Sequence, residues 1–218
     1  MRPVQKVLMT MLLGGAVFAV GSVIVVSLVG AGLWRRGGVR AADGNLPVLG
    51  NVPAFAFHDQ EDRPVTLESL RGSPWVADFI FTGCPGSCPM MTGKMAAMQQ
   101  SLPSQVKLVS FSVDPEHDTP AVLKEYAQRF SADEKRWNFL TGDQDAIMAQ
   151  ARGMLLTALP ATADQPIIHD GRFVLIDAQG RIRGAYQSNN PQELADLDRD
   201  AKRLVAEGAR TKRPDAPQ

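Results

Sequence analysis

Apolar residues along the chain are grouped in short runs that alternate with polar, Gly- or Pro-containing segments. The mostly apolar run WVADFIFT stands between Pro74 and Gly83, which is typical of a buried strand, and VKLVSFSV and WNFL are further runs of strand length. AFAFHD and RPVTLESL predict an early hairpin that leads to a helical turn, and RFVLID, AQG and RIRGAY predict a second hairpin with a Gly-containing loop. The five core strands are predicted at residues 75–82, 106–113, 137–140, 172–177 and 181–186.

Between these strands the apolar residues follow helical spacing. Met91, Met95 and Met98 recur at i, i+4 and i+7, which predicts a helix over residues 89–101 whose methionines belong to the core. Further helices are predicted after the Thr-Pro pair at 119–120, over 143–152, and after the cap at Asn190. Early βαβ units followed by a late hairpin and helix predict an α/β fold with a central mixed β-sheet flanked by helices.

The N-terminal part of the chain has a different character. From Val7 to Trp34, 28 residues contain no charged side chain. A helix of that length is about 42 Å long, which exceeds the hydrocarbon core of about 30 Å, and the run is longer than the apolar core of a cleavable signal peptide. We expect one uncleaved transmembrane helix as an anchor over residues 1–34, a flexible tether over 35–52, a folded domain over 53–205 and a disordered tail over 206–218.

The charges exclude one class of function. Five of the 23 basic residues and none of the 23 acidic residues precede residue 41, which leaves 18 basic against 23 acidic residues in the rest of the chain. A mildly acidic domain without a basic run is a poor nucleic-acid binder, so we expect no nucleic-acid partner. The basic residues that flank the anchor are nearly balanced and do not decide its orientation.

Both cysteines, Cys84 and Cys88, lie in FTGCPGSCP, where the first core strand leads into its helix. Open α/β sheets place their sites at this position. The spacing differs from the CxxC of thioredoxin-type redox motifs, and the loop is too short for a disulfide to stabilise much. If the segment were helical, both sulfurs would project from one face near a helix N-terminus, which lowers thiol pKa values. A soft-metal thiolate pair, a nucleophile with its resolving cysteine, and a structural disulfide remain open.

Few other side chains are candidates for a third ligand of a soft-metal site. His58 and His117 are expected to be surface or loop residues, whereas His169 directly precedes the strand RFVLID and is the favoured third ligand. Asp78 interrupts the first core strand, either on its solvent side or partly buried where it tunes the thiol pKa values. The acidic residues of the loop VDPEHDTP, Asp114, Glu116 and Asp118, are expected to be solvated or to cap the next helix, with a docking surface as the alternative.

Four motifs carry a resemblance to a known family. These motifs resemble those of the Sco/SenC family and occur in the same order, over roughly residues 53–205. They are FTGCPGSCP after an apolar strand, SVDPEHDTP, LTG at residues 140–142, and HDGRFVLID closing with AQGRI. The resemblance implies a thioredoxin-like fold and copper, as Cu(I) or Cu(II), bound by Cys84, Cys88 and His169. A Cys84–Cys88 disulfide is the alternative redox state. Gly83 and His117 depart from residues that are usual in the family, which affects details such as partner recognition.

The resemblance also implies a function and a location. It indicates a metallochaperone or assembly factor for the binuclear copper (CuA) centre of cytochrome c oxidase, with a thiol–disulfide oxidoreductase for the oxidase copper-site cysteines as the alternative. We expect the oxidase subunit that carries this centre as partner, with other copper chaperones and a thiol reductant as further partners. The protein is then a single-pass inner-membrane protein whose domain faces the periplasm. A peroxidase is disfavoured because FIFTGC lacks the expected Pro and Thr arrangement before the cysteine.

Overall fold

The computed structural model describes the backbone of residues 45–159 and 168–211, with side chains at 45–158 and 170–210. The described residues from Leu46 onward form one compact unit. The predicted anchor at 1–34 lies outside the described residues. Within the part that is described, no helix has the length and apolar character needed to span a bilayer.

The described residues contain ten strands and five helices. The strands are β1 (Gly50–Asn51), β2 (Ala56–His58), β3 (Pro64–Thr66), β4 (Trp75–Ile80), β5 (Lys107–Ser112), β6 (Trp137–Leu140), β7 (Ala158–Leu159), β8 (Ile168–His169), β9 (Arg172–Ile176) and β10 (Arg181–Gln187). The helices are α1 (Leu67–Leu70), α2 (Ser87–Ser101), α3 (Pro120–Arg129), α4 (Gln144–Gly153) and α5 (Pro191–Thr211).

Six strands form a mixed central sheet in the order β1-β10-β9-β4-β5-β6. β4, β5 and β6 are parallel, as the βαβ units predict, whereas β9 runs antiparallel to β4 and β10 antiparallel to β9. The register brings Ala77 opposite Val174, so β9 begins at the end of the sheet where β4 and β5 finish. The loops after β4 and β5 and the segment before β9 therefore meet at one end of the sheet.

The alternation of side chains along β4 divides the core between the two faces of the sheet. Trp75, Ala77 and Phe79 pack in a cluster with α1, α4 and the β2–β3 hairpin. Val76 and Ile80 point to the other face, where α2, α3 and α5 pack. The predicted methionine stripe is confirmed as core, because Met91, Met95 and Met98 of α2 belong to this second cluster.

The edge of the sheet at β6 is covered by a side chain. The buried Gln60 donates from Nε2 to the carbonyl of Trp137 at 3.0 Å and accepts from the N–H of Phe139 at 2.8 Å. His58 of β2 adds one isolated antiparallel bridge, to Thr141 just beyond β6. The carboxamide thus takes the place that the backbone of another strand would fill.

Both predicted boundaries of the folded domain need correction. β1, within the expected tether, pairs with β10, and the buried Arg183 donates to the carbonyls of Leu46 and Pro47 and to Asp177. These partners are distant in sequence, so the local Gly and Pro pattern gave no sign of them. At the other end α5 extends to Thr211, and therefore residues 206–211 of the expected tail are helical. Residues 212–218 lie outside the described residues.

Candidate metal centre

The two cysteines lie on either side of the start of α2. β4 ends at Ile80, a loop carries Cys84, and α2 begins at Ser87, so that Cys88 is in its first turn. Cys84 is outside the helix, so the condition that residues 84–88 are helical is not met. Both thiols are reduced in this structure; Cys84 is partly exposed, whereas the side chain of Cys88 is 0% exposed.

The two sulfurs have opposite electrostatic environments. Partial burial opposes ionisation of Cys84, but the backbone N–H groups of Cys88 and Gly86, together with the Cys88 and Ser87 side chains, donate to its sulfur and hold its pKa below the usual range. Burial raises the pKa of Cys88 far above that of an ordinary thiol, and the Cys84 sulfur beside it adds to the rise. Cys84 is therefore the thiol that ionises more readily and the better nucleophile of the pair.

A buried carboxylate fixes the loop that carries Cys84. Asp118, 0% exposed, accepts hydrogen bonds from the backbone N–H of Thr82 at 3.0 Å, from the Thr82 hydroxyl and from the Ser112 hydroxyl. The contact joins the loop after β4 to the loop after β5. The expectation that Asp118 is solvated is wrong, because its side chain is buried. The polar sequence around Asp118 does not indicate that Thr82 and Ser112 surround it in the fold.

Asp78 is fully buried on the face of β4 that carries α2. It stands between Val76 and Ile80, which pack in the same cluster as Cys88, and neither carboxylate oxygen has a hydrogen-bond partner. Burial raises the pKa of Asp78 to about 7. The hydroxyl of Ser110, which lies opposite Asp78 on β5, lowers this pKa in part, although it does not form a well-aligned hydrogen bond with the carboxylate. The solvent-side alternative is therefore excluded. When Asp78 is ionised, its negative charge also raises the pKa of Cys88.

A short polar chain leads away from Cys88 into the core. The Thr92 hydroxyl donates to the carbonyl of Cys88 at 2.9 Å and lies 3.0 Å from the Tyr126 hydroxyl. Burial raises the pKa of Tyr126 to about 12, so that its hydroxyl stays protonated. These contacts hold the first turn of α2 against α3.

The three histidines lie in different places. His58 is exposed in β2, and His117 is exposed with its Nδ1 2.9 Å from Asp114 Oδ1, a contact that raises the pKa of His117. The backbone of His169 is in β8, where it pairs with Ala158, three residues before β9 begins at the cysteine end of the sheet. The structure does not describe the side chain of His169.

The arrangement of the sulfurs suits a soft metal. The Cys84 and Cys88 side chains are in hydrogen-bond contact, so a single bound ion could contact both sulfurs, and Cu(I) prefers such donors. Among the side chains that the structure describes, no group of three or more His, Cys, Asp or Glu forms a metal site.

Comparison with known proteins identifies the family. The SCO1/SenC family model matches residues 49–204, well over half of the chain. The chain belongs to the SCO1/SenC family. The SCO1 protein homolog of Bacillus subtilis is 35% identical over 162 residues, covering 72% of this chain and 83% of that relative.

Solved structures of the family share the fold. BsSco, described as a member of the Sco family of cytochrome c oxidase assembly proteins with a disulfide switch, is 34% identical with a TM-score of 0.65, covering 73% of this chain and 97% of BsSco. ScoI of Bradyrhizobium japonicum, solved with copper bound, is 28% identical with a TM-score of 0.53, covering 69% of this chain and 99% of ScoI. The expected thioredoxin-type α/β fold with a mixed sheet is confirmed.

Proposed function

We propose that this member of the SCO1/SenC family binds copper through Cys84, Cys88 and His169 and acts as a copper-delivering assembly factor for cytochrome c oxidase. One observation carries the proposal: a partly exposed thiol with a lowered pKa and a buried thiol touch each other at the start of α2. The copper-bound ScoI and the assembly role given for BsSco support it.

The chemistry of the ligand set explains how copper would be held and released. Cu(I) binds the two sulfurs as thiolates, so both thiol protons leave to solvent when copper loads. An imidazole from His169 completes a site of soft and borderline donors that also accommodates Cu(II). Oxidation of the two thiolates to a disulfide gives up two electrons and removes both sulfur ligands, so a thiol reductant must act before copper is loaded again.

The further parts of the proposal concern location and partner. Residues 1–34 anchor the protein in the inner membrane as a single span, and the tether holds the domain on the periplasmic side. The client is the oxidase subunit that carries the binuclear CuA centre, and other copper chaperones supply the metal. Asp78 tunes the pKa of Cys88 from beneath the site, since it is buried on the same face of the sheet.

The experiment is a Cu(I) titration of the reduced full chain in detergent. We expect one tightly bound equivalent, lost when Cys84→Ser, Cys88→Ser and His169→Ala are combined. His117→Ala is the matched control, because this exposed histidine lies in the neighbouring loop, and it should retain the full equivalent. Copper that stays bound in the triple variant would refute the ligand set.

A second function is favoured by the asymmetry of the two thiols. A partly exposed thiol that ionises readily beside a buried thiol is the arrangement of a nucleophile and its resolving cysteine. In that role Cys84 attacks a client disulfide, a mixed disulfide forms, and Cys88 displaces the client thiol while its own proton is lost. Reduction of an oxidised CuA-site peptide that persists in His169→Ala supports this role, since thiol exchange needs no imidazole ligand.

A further inference from the structure

Copper from solvent cannot reach both cysteine sulfurs at once. The side chain of Cys88 is 0% exposed, whereas Cys84 is partly exposed. An arriving ion therefore meets Cys84 first, while Cys88 is still a buried thiol. Cu(I) with a single protein sulfur is under-coordinated, because it takes at least two soft donors. A second soft side chain already at the surface would meet this requirement for another donor.

Met90 is the side chain that meets this requirement. It is 65% exposed, in contrast to the other methionines of α2, which are buried. Because Met90 does not pack in the core, its side chain is accessible to an ion that arrives from solvent. Its thioether is a soft donor that suits Cu(I).

The helix geometry directs Met90 toward Cys84. Met90 follows Ser87 by three residues, which places both on one face of α2 about 4.5 Å apart along the axis. Ser87 Oγ lies 3.8 Å from Cys84 Sγ. Helical side chains lean toward the N-terminus, so Met90 covers the turn that Ser87 begins. A long, unbranched thioether at this position can extend toward the exposed side of the Cys84 sulfur.

We propose that Cys84 and Met90 form an exposed loading site for Cu(I), separate from the buried cysteine pair. This inference rests on the proposed copper function and adds the route by which the metal arrives. Cu(I) binds the Cys84 thiolate and the Met90 thioether, and any Cys84 proton leaves to solvent. The ion then moves inward as the Cys88 thiolate replaces the thioether, and the proton of Cys88 leaves to solvent. The oxidation state of copper does not change in either step.

The test isolates the loading site by removing its competitor. In the full chain in detergent, Cys88→Ser leaves Cys84 and Met90 as the exposed sulfur pair, and X-ray absorption should show Cu(I) with two sulfur neighbours. Adding Met90→Leu should lower the Cu(I) affinity of this variant by on the order of tenfold or more. Ala97→Leu is the matched control, because it places a leucine on the same exposed face of α2 two turns away, and it should keep the parent affinity. Equal affinities with and without Met90 would overturn the proposal.

A second measurement uses the chain with both cysteines. With methyl-labelled methionine, the resonance of Met90 should shift in the first milliseconds of Cu(I) addition and return as copper moves inward, and Met90→Leu should slow loading about tenfold. A chain that binds one Cu(I) equivalent but loads at the parental rate after Met90→Leu overturns the loading site alone. A parent chain that binds no Cu(I) overturns the proposed function as well.

Discussion

Replacing Asp78 with asparagine should remove a pH-dependent loss of stability. In the folded chain the Asp78 carboxyl is buried without a hydrogen-bond partner, and its pKa is raised to about 7. In the unfolded chain the same carboxyl ionises near pH 3.9. Between these values the folded state binds one more proton than the unfolded state, so the free energy of unfolding falls as the pH rises through this window and stays low above it.

The magnitude follows from the size of the pKa shift. The rise from 3.8 to about 7 is about three pKa units, which corresponds to about 4 kcal/mol at 1.36 kcal/mol per unit. Asparagine has nearly the same shape and does not titrate. We therefore expect Asp78→Asn to gain about 3 kcal/mol over the parent between pH 4.5 and pH 7.5, because the rest of the effect lies below pH 4.5.

The assay is urea unfolding of the reduced, metal-free chain at several pH values, followed through the fluorescence of the buried Trp75 and Trp137. The difference between variant and parent cancels the titration of all other groups. Asp62→Asn is the matched control, because Asp62 is exposed and has a φ of 56° that asparagine also tolerates. A difference between Asp78→Asn and the parent that is the same at pH 4.5 and pH 7.5 would refute the assignment of a neutral buried carboxyl.

Two further predictions concern the contacts that hold the site and the start of the domain. Asp118→Asn removes an acceptor from the buried contact with Thr82, so the loop that carries Cys84 should loosen. In the parent, the lowered pKa of Cys84 lets iodoacetamide alkylate it faster at low pH than an ordinary thiol, and the variant should lose this difference in rate. Arg183→Met removes the buried cation that contacts Asp177 and two backbone carbonyls. The free energy of unfolding in urea should fall by roughly 3 kcal/mol.

Each of these changes has a control in the same neighbourhood. Asp114→Asn alters an acidic residue of the same loop that does not contact Thr82, and it should leave the alkylation profile of Cys84 unchanged. Arg181→Met removes a more exposed partner of Asp177, 42% exposed, and should cost less than about 1 kcal/mol. An Asp118→Asn profile identical to the parent, or equal losses for the two arginine variants, would contradict the respective prediction.

The sequence predicted the elements whose patterns are local. The core strands, the methionine face of α2 and the hairpin of β9 and β10 follow from periodicity, and the structure confirms them. Cys84 and Cys88 could be predicted as site residues from the chemistry of their thiols alone. The order of their pKa values was not predicted, because it depends on the burial of one sulfur and on donors reaching the other.

Features that depend on distant residues were missed or misplaced. Asp118 reads as one more acidic loop residue until folding encloses it with Thr82 and Ser112. A helix was predicted over residues 143–152, but α4 includes Gly153, where an added Cβ would lie 2.3 Å from Pro53 Cγ. This glycine is required for close packing, a reason that only the tertiary structure shows.

The covering of β6 by Gln60 has a consequence for how the protein behaves when many copies are crowded together. Many proteins guard a free strand edge with charged side chains, whose mutual repulsion weakens as ionic strength rises. Here the carboxamide occupies the donor of Phe139 and the acceptor of Trp137 directly. Salt does not screen these two neutral hydrogen bonds. The edge of β6 therefore remains unavailable for pairing with a strand of another molecule at high ionic strength as well as in dilute buffer.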